Sequence, residues 1–235
     1  MATVLAVASA LLFVPAVRGH GYIVRPESRA YLCTMWTNRD CGDARWEPQS
    51  IEAAKGFPDS GPADGSIAGG GRFDKLDEVG EKRWRHVNLR RLLHRVNSTH
   101  NSIVFKWHYS APHRTTKYDL FATKKDFNNS QPLTRAVLVH VHTLDSPNKQ
   151  ALPMVHHFIP RNMIHKVGVF LCVWVIDDTP NAFYQVIDYK LRKKRKPTTT
   201  TEEPTTARTS PTILSCNYSR PWLRPWLRPP ESTVR

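Results

Sequence analysis

The stretch Val167-Gly-Val-Phe-Leu-Cys-Val-Trp-Val-Ile176 carries no charged side chain and is rich in β-branched residues. An apolar run of this length without a helical period is typical of a β-strand that is covered on both of its faces. The stretch therefore predicts a central strand of a β-sandwich.

Further strands are expected on both sides of this run. Segments 103–109 and 183–191 alternate between apolar and polar residues, and segments 118–123 and 136–142 are further strand candidates. Between Asp43 and His94 the chain is rich in Gly, Pro and charge, with a short helical piece expected at Asp77 to Trp84. We expect an all-β fold, an immunoglobulin/fibronectin-III-like antiparallel β-sandwich with a long loop and short-helix insertion between its first strands.

Residues 1–19 have the pattern of a removable signal peptide. Ala2 to Val17 is an uncharged, largely apolar stretch that contains Ser9 and Pro15, and it is short for a membrane span of about 20 residues. The alternative is a buried N-terminal strand or helix of a cytosolic protein. The signal interpretation predicts a secreted, extracellular protein without a membrane span, in which His20 becomes the N-terminal residue.

Residues 20–192 are long enough for one folded domain, whereas residues 193–235 are not expected to fold. The tail begins within the basic run Arg192 to Lys196 and continues into a Thr/Pro-rich stalk at 197–211. The net charge of +14 and the basic run could indicate binding to nucleic acid. Because a signal peptide is predicted, the basic run is interpreted as solvent-exposed charge or as a proteolytic processing site, and no nucleic-acid partner is expected.

The chain has four cysteines, at positions 33, 41, 172 and 216. Cys33 and Cys41 are close enough in sequence to close a short disulfide loop in an oxidising compartment. Cys172 is expected to be a buried thiol, while Cys216 could be free, pair between chains or pair with Cys172.

Several blocks of sequence resemble the lytic polysaccharide monooxygenases of auxiliary activity family 10, which carry a chitin-binding type 4 domain. The blocks follow the family's order from His20 to about Leu191. They are His20-Gly-Tyr with Pro26 and Ser28 to Cys33, Trp46-Glu-Pro-Gln-Ser-Ile-Glu52, Lys55 to Pro58 with Gly61 to Gly65, Ser110-Ala-Pro-His113, and Asp178 to Gln185.

The resemblance implies one copper ion per chain, held in a histidine brace. Its ligands would be the amine and a ring nitrogen of His20 and a ring nitrogen of His113. Nitrogen donors of this kind suit copper, and metal must displace the proton of an amine whose ordinary pKa is about 8. With an external electron donor and O2 or H2O2, such a centre oxidises a C–H bond beside a glycosidic linkage, and the polysaccharide is cleaved there.

The resemblance also implies roles around the metal. Phe183 matches the aromatic residue beside the axial copper position, and Glu52 matches the acid on the oxygen-binding side. Ala111 resembles the small residue that leaves room for the oxidant. Asp178 and Asn181 are expected near the rim.

The substrate implied by the resemblance is crystalline chitin, bound on a flat face by a monomeric enzyme. Trp46 would stack on a sugar ring, and Glu47, Gln49 and Asn181 would hydrogen-bond to the substrate. The alternatives are a cellulose-active homologue, a non-catalytic chitin-binding or virulence module, and a copper storage or sensing protein.

Other histidines compete with His113 for a role in metal binding. His140 and His142 are expected on one face of a strand, where they could form an unrelated metal site.

Overall fold

The computed structural model describes residues 20–192, and these form two β-sheets packed face to face. The predicted signal peptide and tail lie outside the described residues. The ten strands are β1 His20–Arg25, β2 Glu52–Ala54, β3 Val87–Asn88, β4 His94–Arg95, β5 His100–Ala111, β6 Thr115–Thr123, β7 Leu138–Asp145, β8 Met154–Pro160, β9 Val167–Ile176 and β10 Asn181–Lys190. The one α-helix of this region, α1, spans Arg29–Thr34.

The first sheet is built around β5, which pairs with β1, β4 and β8. The second has the order β2-β10-β9-β6-β7, with β3 also pairing with β10. All of these pairings are antiparallel except that of β3 with β10. The predicted all-β antiparallel sandwich is therefore confirmed.

The stretch Val167–Ile176 lies in the middle of the second sheet, between β10 and β6. Nine of its ten residues are buried, because both faces of the sheet are covered. One face packs against the first sheet through residues such as Phe170 and Trp174. The other packs, through Leu171 and Val173, against the long segment that leads from α1 towards β3. This second core explains why the run lacks alternation.

The segment between β1 and β5 is the predicted loop and short-helix insertion. It holds α1, whose first turn is capped by Ser28: the Tyr31 amide donates to the Ser28 hydroxyl at 3.2 Å. The Cys33–Cys41 disulfide closes the turn after α1. Four 3-10 turns, at Gly42–Arg45, Pro48–Ser50, Asp74–Asp77 and Leu89–Arg91, supply the remaining helical structure.

The helical piece expected at Asp77 to Trp84 is wrong. The 3-10 turn ends at Asp77, and Glu78 is extended. The Asp77 carboxylate accepts hydrogen bonds from the amides of Ala68 and Gly69, at 2.8 and 3.1 Å. A side chain that ties the backbone to an earlier turn competes with continuation of a helix.

A buried ion pair joins the insertion to the sandwich. Arg29 of α1 donates from Nε and Nη2 to the two carboxylate oxygens of Asp188 on β10, at 3.0 and 2.8 Å. The third guanidinium nitrogen donates to the Leu76 carbonyl at 2.6 Å. The insertion is thereby attached to the sheet whose opposite end carries the candidate site.

Candidate metal centre

The candidate site lies at one end of the sandwich, where β1 begins and β5 ends. His20 is paired with Ala111 across the two strands, and His113 follows Ala111 by two residues in the turn to β6. Strand pairing therefore brings His20 and the His113 turn to the same sheet edge, although they are distant in sequence.

The His113 ring is 4% exposed and is held by a carboxylate. Its Nδ1 lies 2.8 Å from Oδ1 of Asp178, which belongs to the turn between β9 and β10. An ionised carboxylate can only accept, so Nδ1 carries the hydrogen and Nε2 presents a lone pair. Nε2 is buried and has no hydrogen-bond partner among the described residues. An orphaned, oriented imidazole nitrogen of this kind fits a metal ligand.

Aromatic packing connects β1 to β10 beneath the histidines. The rings of Trp174 and Phe183 are stacked with centroids 4.9 Å apart. A Cβ on Gly21 would lie 2.7 Å from the Tyr109 ring and 3.0 Å from that of Trp174, so only glycine fits next to His20. The Trp174 indole donates to the Thr115 hydroxyl at 2.8 Å, which donates in turn to the His113 carbonyl at 3.1 Å.

Phe183 and Glu52 are directly opposite each other in the β10–β2 pairing. Phe183 is 1% exposed, whereas Glu52 is half-buried. The Asn181 amide donates to Oε2 of Glu52 at 3.3 Å. The insertion thus delivers a carboxylate to the strand that carries the aromatic residue.

The proposed substrate residues 46, 47 and 49 lie together in the insertion, around the 3-10 turn Pro48–Ser50, which packs on β1. Trp46 is 70% exposed and Gln49 is half-buried. Glu47 forms an ion pair with Arg72 at 3.0 Å, so that carboxylate already has a partner.

The sequence reasoning missed Trp36. Its ring is 56% exposed and meets Trp46 edge to face, with centroids 6.2 Å apart. The Arg45 guanidinium covers Trp36 at 3.6 Å. Trp36 has a positive φ of 56°, and no pattern in the sequence predicts this conformation. The only signal in the sequence is that Trp36 lies between the two disulfide cysteines.

The hypothesis that His140 and His142 share a strand face is wrong. A bulge in the β6–β7 pairing puts His142 opposite Leu120 and His140 opposite Phe121, so the two side chains point to opposite faces of the sheet. His140 packs on the Phe121 ring, while His142 contacts His157 between the sheets. Within residues 20–192, no three His, Cys, Asp or Glu side chains cluster in a way that would hold a metal ion. This does not conflict with a brace of two histidines and an amine.

The remaining cysteine predictions are consistent with the structure. The disulfide between Cys33 and Cys41 is present. Cys172 is a buried thiol, and burial raises its pKa well above the ordinary value. Cys216 lies outside the described residues. None of the helices described is long and apolar enough to cross a membrane.

The family model described as lytic polysaccharide mono-oxygenase, cellulose-degrading, matches residues 20–189.

Individual relatives agree with that match. GlcNAc-binding protein A of Shewanella oneidensis is 37% identical over 194 residues; the match covers 80% of this chain but only 39% of that protein's length. The lytic chitin monooxygenase of Enterococcus faecalis is 34% identical, with 74% of this chain and 86% of that protein covered.

Solved structures also match. The CBM33 protein of Bacillus amyloliquefaciens, solved in complex with Cu(I) after photoreduction, superposes with a TM-score of 0.63 at 34% identity and covers 73% of this chain and 99% of that one. The chain belongs to the lytic polysaccharide monooxygenases of auxiliary activity family 10.

Proposed function

We propose that this protein is a secreted, copper-dependent monooxygenase that cleaves crystalline chitin oxidatively. The observation that carries the proposal is the buried, unpartnered Nε2 of His113, oriented by Asp178 beside the strand that begins at His20. The Cu(I) complex of the Bacillus amyloliquefaciens relative supports copper as the metal. Removal of residues 1–19 would expose the amine of His20, and one copper ion would be held by that amine and by ring nitrogens of His20 and His113.

Bound copper would supply the one-electron activation of O2 or H2O2 that C–H oxidation requires, with electrons from an external donor. Residues of the protein would orient the metal ligand, exclude water and leave space for the oxidant. Asp178 fixes the ring orientation of His113 by accepting from Nδ1. Phe183, buried and apolar, keeps water from the space beside it. Ala111 leaves room next to His20.

Glu52 is assigned to the oxidant side of the site. Its half-buried carboxylate accepts from the amide of Asn181 on one oxygen, which leaves the other oxygen able to accept from water or a peroxide O–H. The Glu52–Asn181 pair could therefore hold and orient a proton-bearing oxidant next to the histidines.

Chitin is supported as substrate by two relatives, a GlcNAc-binding protein and a lytic chitin monooxygenase. The exposed rings of Trp36 and Trp46 would supply a stacking surface for a flat crystal face. The description of the matching family model names cellulose, so cellulose is the alternative substrate to be tested in parallel.

The test uses copper-loaded protein that begins at His20, incubated with β-chitin or cellulose and a reductant. We expect oxidised oligosaccharides from chitin, detected by mass spectrometry. His113→Ala should abolish them, whereas the exposed His94→Ala serves as a matched control that keeps activity. Placing one alanine before His20 should also abolish both product formation and tight copper binding, since it turns the amine into an amide. Chitin binding without oxidised products would reject the enzyme in favour of a binding module.

A further inference from the structure

The end of the sandwich opposite the candidate metal centre carries a basic groove. We define this groove by four exposed arginines, Arg25, Arg85, Arg91 and Arg192, which line a cavity of about 600 Å³. Glu27 is the one carboxylate in its lining. A neighbouring cavity of about 590 Å³ shares Arg85 and Arg192 and adds further cations on its wall: Arg39, Lys82, Arg83 and Lys190, against Asp40 and Glu81.

The groove arginines have no ion-pair partner in the part of the chain that the structure describes. Among residues 20–192, none of the four takes part in an ion pair. Some arginines elsewhere on the surface are paired, for example Arg72 with Glu47 and Arg114 with Asp177, but the groove is where four arginines without an ion-pair partner among residues 20–192 line one cavity. The positive charge of the groove is therefore left uncompensated by this part of the protein.

His86 belongs to the groove lining and is affected by the same positive charge. Burial lowers its pKa, and the nearby cations Lys190, Arg29 and Arg192 lower it further, against the opposing effect of Asp188. A lowered pKa favours the neutral form of this half-buried imidazole, so His86 adds less positive charge to the groove than an ordinary histidine would; its Nε2 already lies 2.8 Å from the Asn129 amide nitrogen.

The lining indicates which kind of anion fits. Guanidinium groups present planar forks of N–H donors that match sulfate and carboxylate oxygens. The apolar lining residues are aliphatic, Leu32, Val87 and Leu92, so apart from the half-buried His86 imidazole the lining offers no aromatic ring on which the bases of a single-stranded nucleic acid would stack.

A membrane surface fits the groove poorly. Peripheral membrane binding uses exposed large apolar anchors beside the cations. The exposed large apolar side chains of the described region, such as Trp36, Trp46 and Phe158, do not line the groove. A flexible polyanionic carbohydrate chain needs neither stacking rings nor apolar anchors, so the arginine-rich lining is sufficient to bind it.

We propose that the basic groove binds a sulfated polysaccharide. Strand β1 begins at His20 and ends at Arg25, so the groove and the candidate metal centre are separated by about 17 Å, at roughly 3.3 Å per strand residue. Both could be occupied at once: the groove would hold the domain on a sulfated matrix while the opposite end remains open to its own substrate.

The test is titration of the full chain from His20 to Arg235 with a heparin oligosaccharide as the sulfated probe, at several salt concentrations. The triple variant Arg25→Ser/Arg85→Ser/Arg91→Ser should bind at least about tenfold more weakly, because three charge-assisted contacts are lost. Its affinity should also depend less steeply on salt. Retained copper affinity would show that this variant is folded.

Two further variants make the result specific. Lys124→Ser/Lys125→Ser/Lys166→Ser removes three exposed cations outside the groove and should leave heparin affinity within about twofold, as expected for surface charges that make no contact. Arg25→Lys/Arg85→Lys/Arg91→Lys keeps the charge but loses the forks, and should recover only part of the affinity.

The outcomes separate clearly. Loss in the arginine triple alone, together with weak binding of desulfated heparin and hyaluronan, supports the proposal. Equal loss in both serine triples, or no loss in either, overturns it, because binding would then reflect net charge or the basic run at 193–196. Tighter binding of duplex DNA than of heparin would also overturn it. None of these readouts depends on chitin cleavage.

Discussion

Asp178 holds the ring of His113 through a 2.8 Å contact from its Oδ1 to Nδ1, and leaves Nε2 of that ring buried without a partner. The two residues are 65 positions apart and come together where β5 ends and β10 begins. The proposed copper site therefore depends on a carboxylate that is not itself a ligand.

Replacing Asp178 by alanine is expected to weaken copper binding by about 10- to 100-fold, the usual cost of losing the group that orients a ligating histidine. The measurement is a competition titration against a chelator. Asp177→Ala is the matched control, since Asp177 pairs with Arg114 and Lys149 rather than with His113. Equal losses in both variants would contradict the assigned role of Asp178.

Trp46→Ala is expected to weaken chitin binding about five- to tenfold, because one exposed stacking ring is lost. Trp36→Ala should cost about two- to threefold, since Arg45 already covers one face of Trp36 and its contribution is the edge contact with Trp46. Binding isotherms of copper-loaded protein without reductant measure both effects. Phe158→Ala, another exposed aromatic residue, on β8, should leave binding unchanged.

The His142–His157 pair is expected to make the metal-free protein acid-sensitive. The two Nδ1 atoms are 3.0 Å apart between the sheets. Burial, followed by repulsion from His142, His140 and His156, lowers the pKa of His157 to about 3, and burial likewise lowers that of His142. In the unfolded chain these two histidines bind protons as the pH falls through about 6.5, whereas in the folded state they do so only at lower pH. The free energy of unfolding should therefore fall as the pH drops from about 6.5 towards 3.

The difference between variants isolates this contribution. His157→Gln keeps a polar partner for His142 and should flatten the fall in melting temperature across that pH window. His94→Gln changes an exposed histidine and should follow the wild-type profile. If the melting temperatures of all three proteins fell in parallel with pH, the acid sensitivity would not come from the His142–His157 pair.

Breaking the Arg29–Asp188 pair from one side should be strongly destabilising. Arg29→Met leaves the Asp188 carboxylate, 1% exposed, without its partner, at an expected cost of about 3–5 kcal/mol in denaturant unfolding. The double variant Arg29→Met/Asp188→Leu should recover much of that loss, because no buried charge remains. The exposed Arg72→Met, which breaks the pair with Glu47, is expected to cost at most about 1 kcal/mol.

Much of the architecture could be read from local pattern. Val167–Ile176 predicted a strand covered on both faces, and it is the middle strand of the second sheet. The alternation at 103–109 predicted β5. Alternation identifies β5 because successive side chains of a strand point to opposite faces, whereas an uninterrupted apolar run identifies a strand that is buried on both faces.

Pattern failed wherever a residue's partner lies elsewhere in the chain. The bulge between β6 and β7 reversed the expected facing of His140 relative to His142, and the Asp77 side chain ended a turn where a helix was expected. Trp36 became a surface aromatic through its backbone conformation and its contact with Trp46.

The sequence by itself determined strands β5, β6, β7, β9 and β10, because their patterns of apolar residues are local; the candidate ligands His20 and His113 followed from the resemblance of the blocks around them to the family. The tertiary structure decided that Asp178 orients His113, that Asn181 donates to Glu52, and that four arginines from separate segments line one groove. The physical reason is range: residue type and period act along the chain, whereas hydrogen bonds and uncompensated charge depend on which distant segments the sheet register brings together.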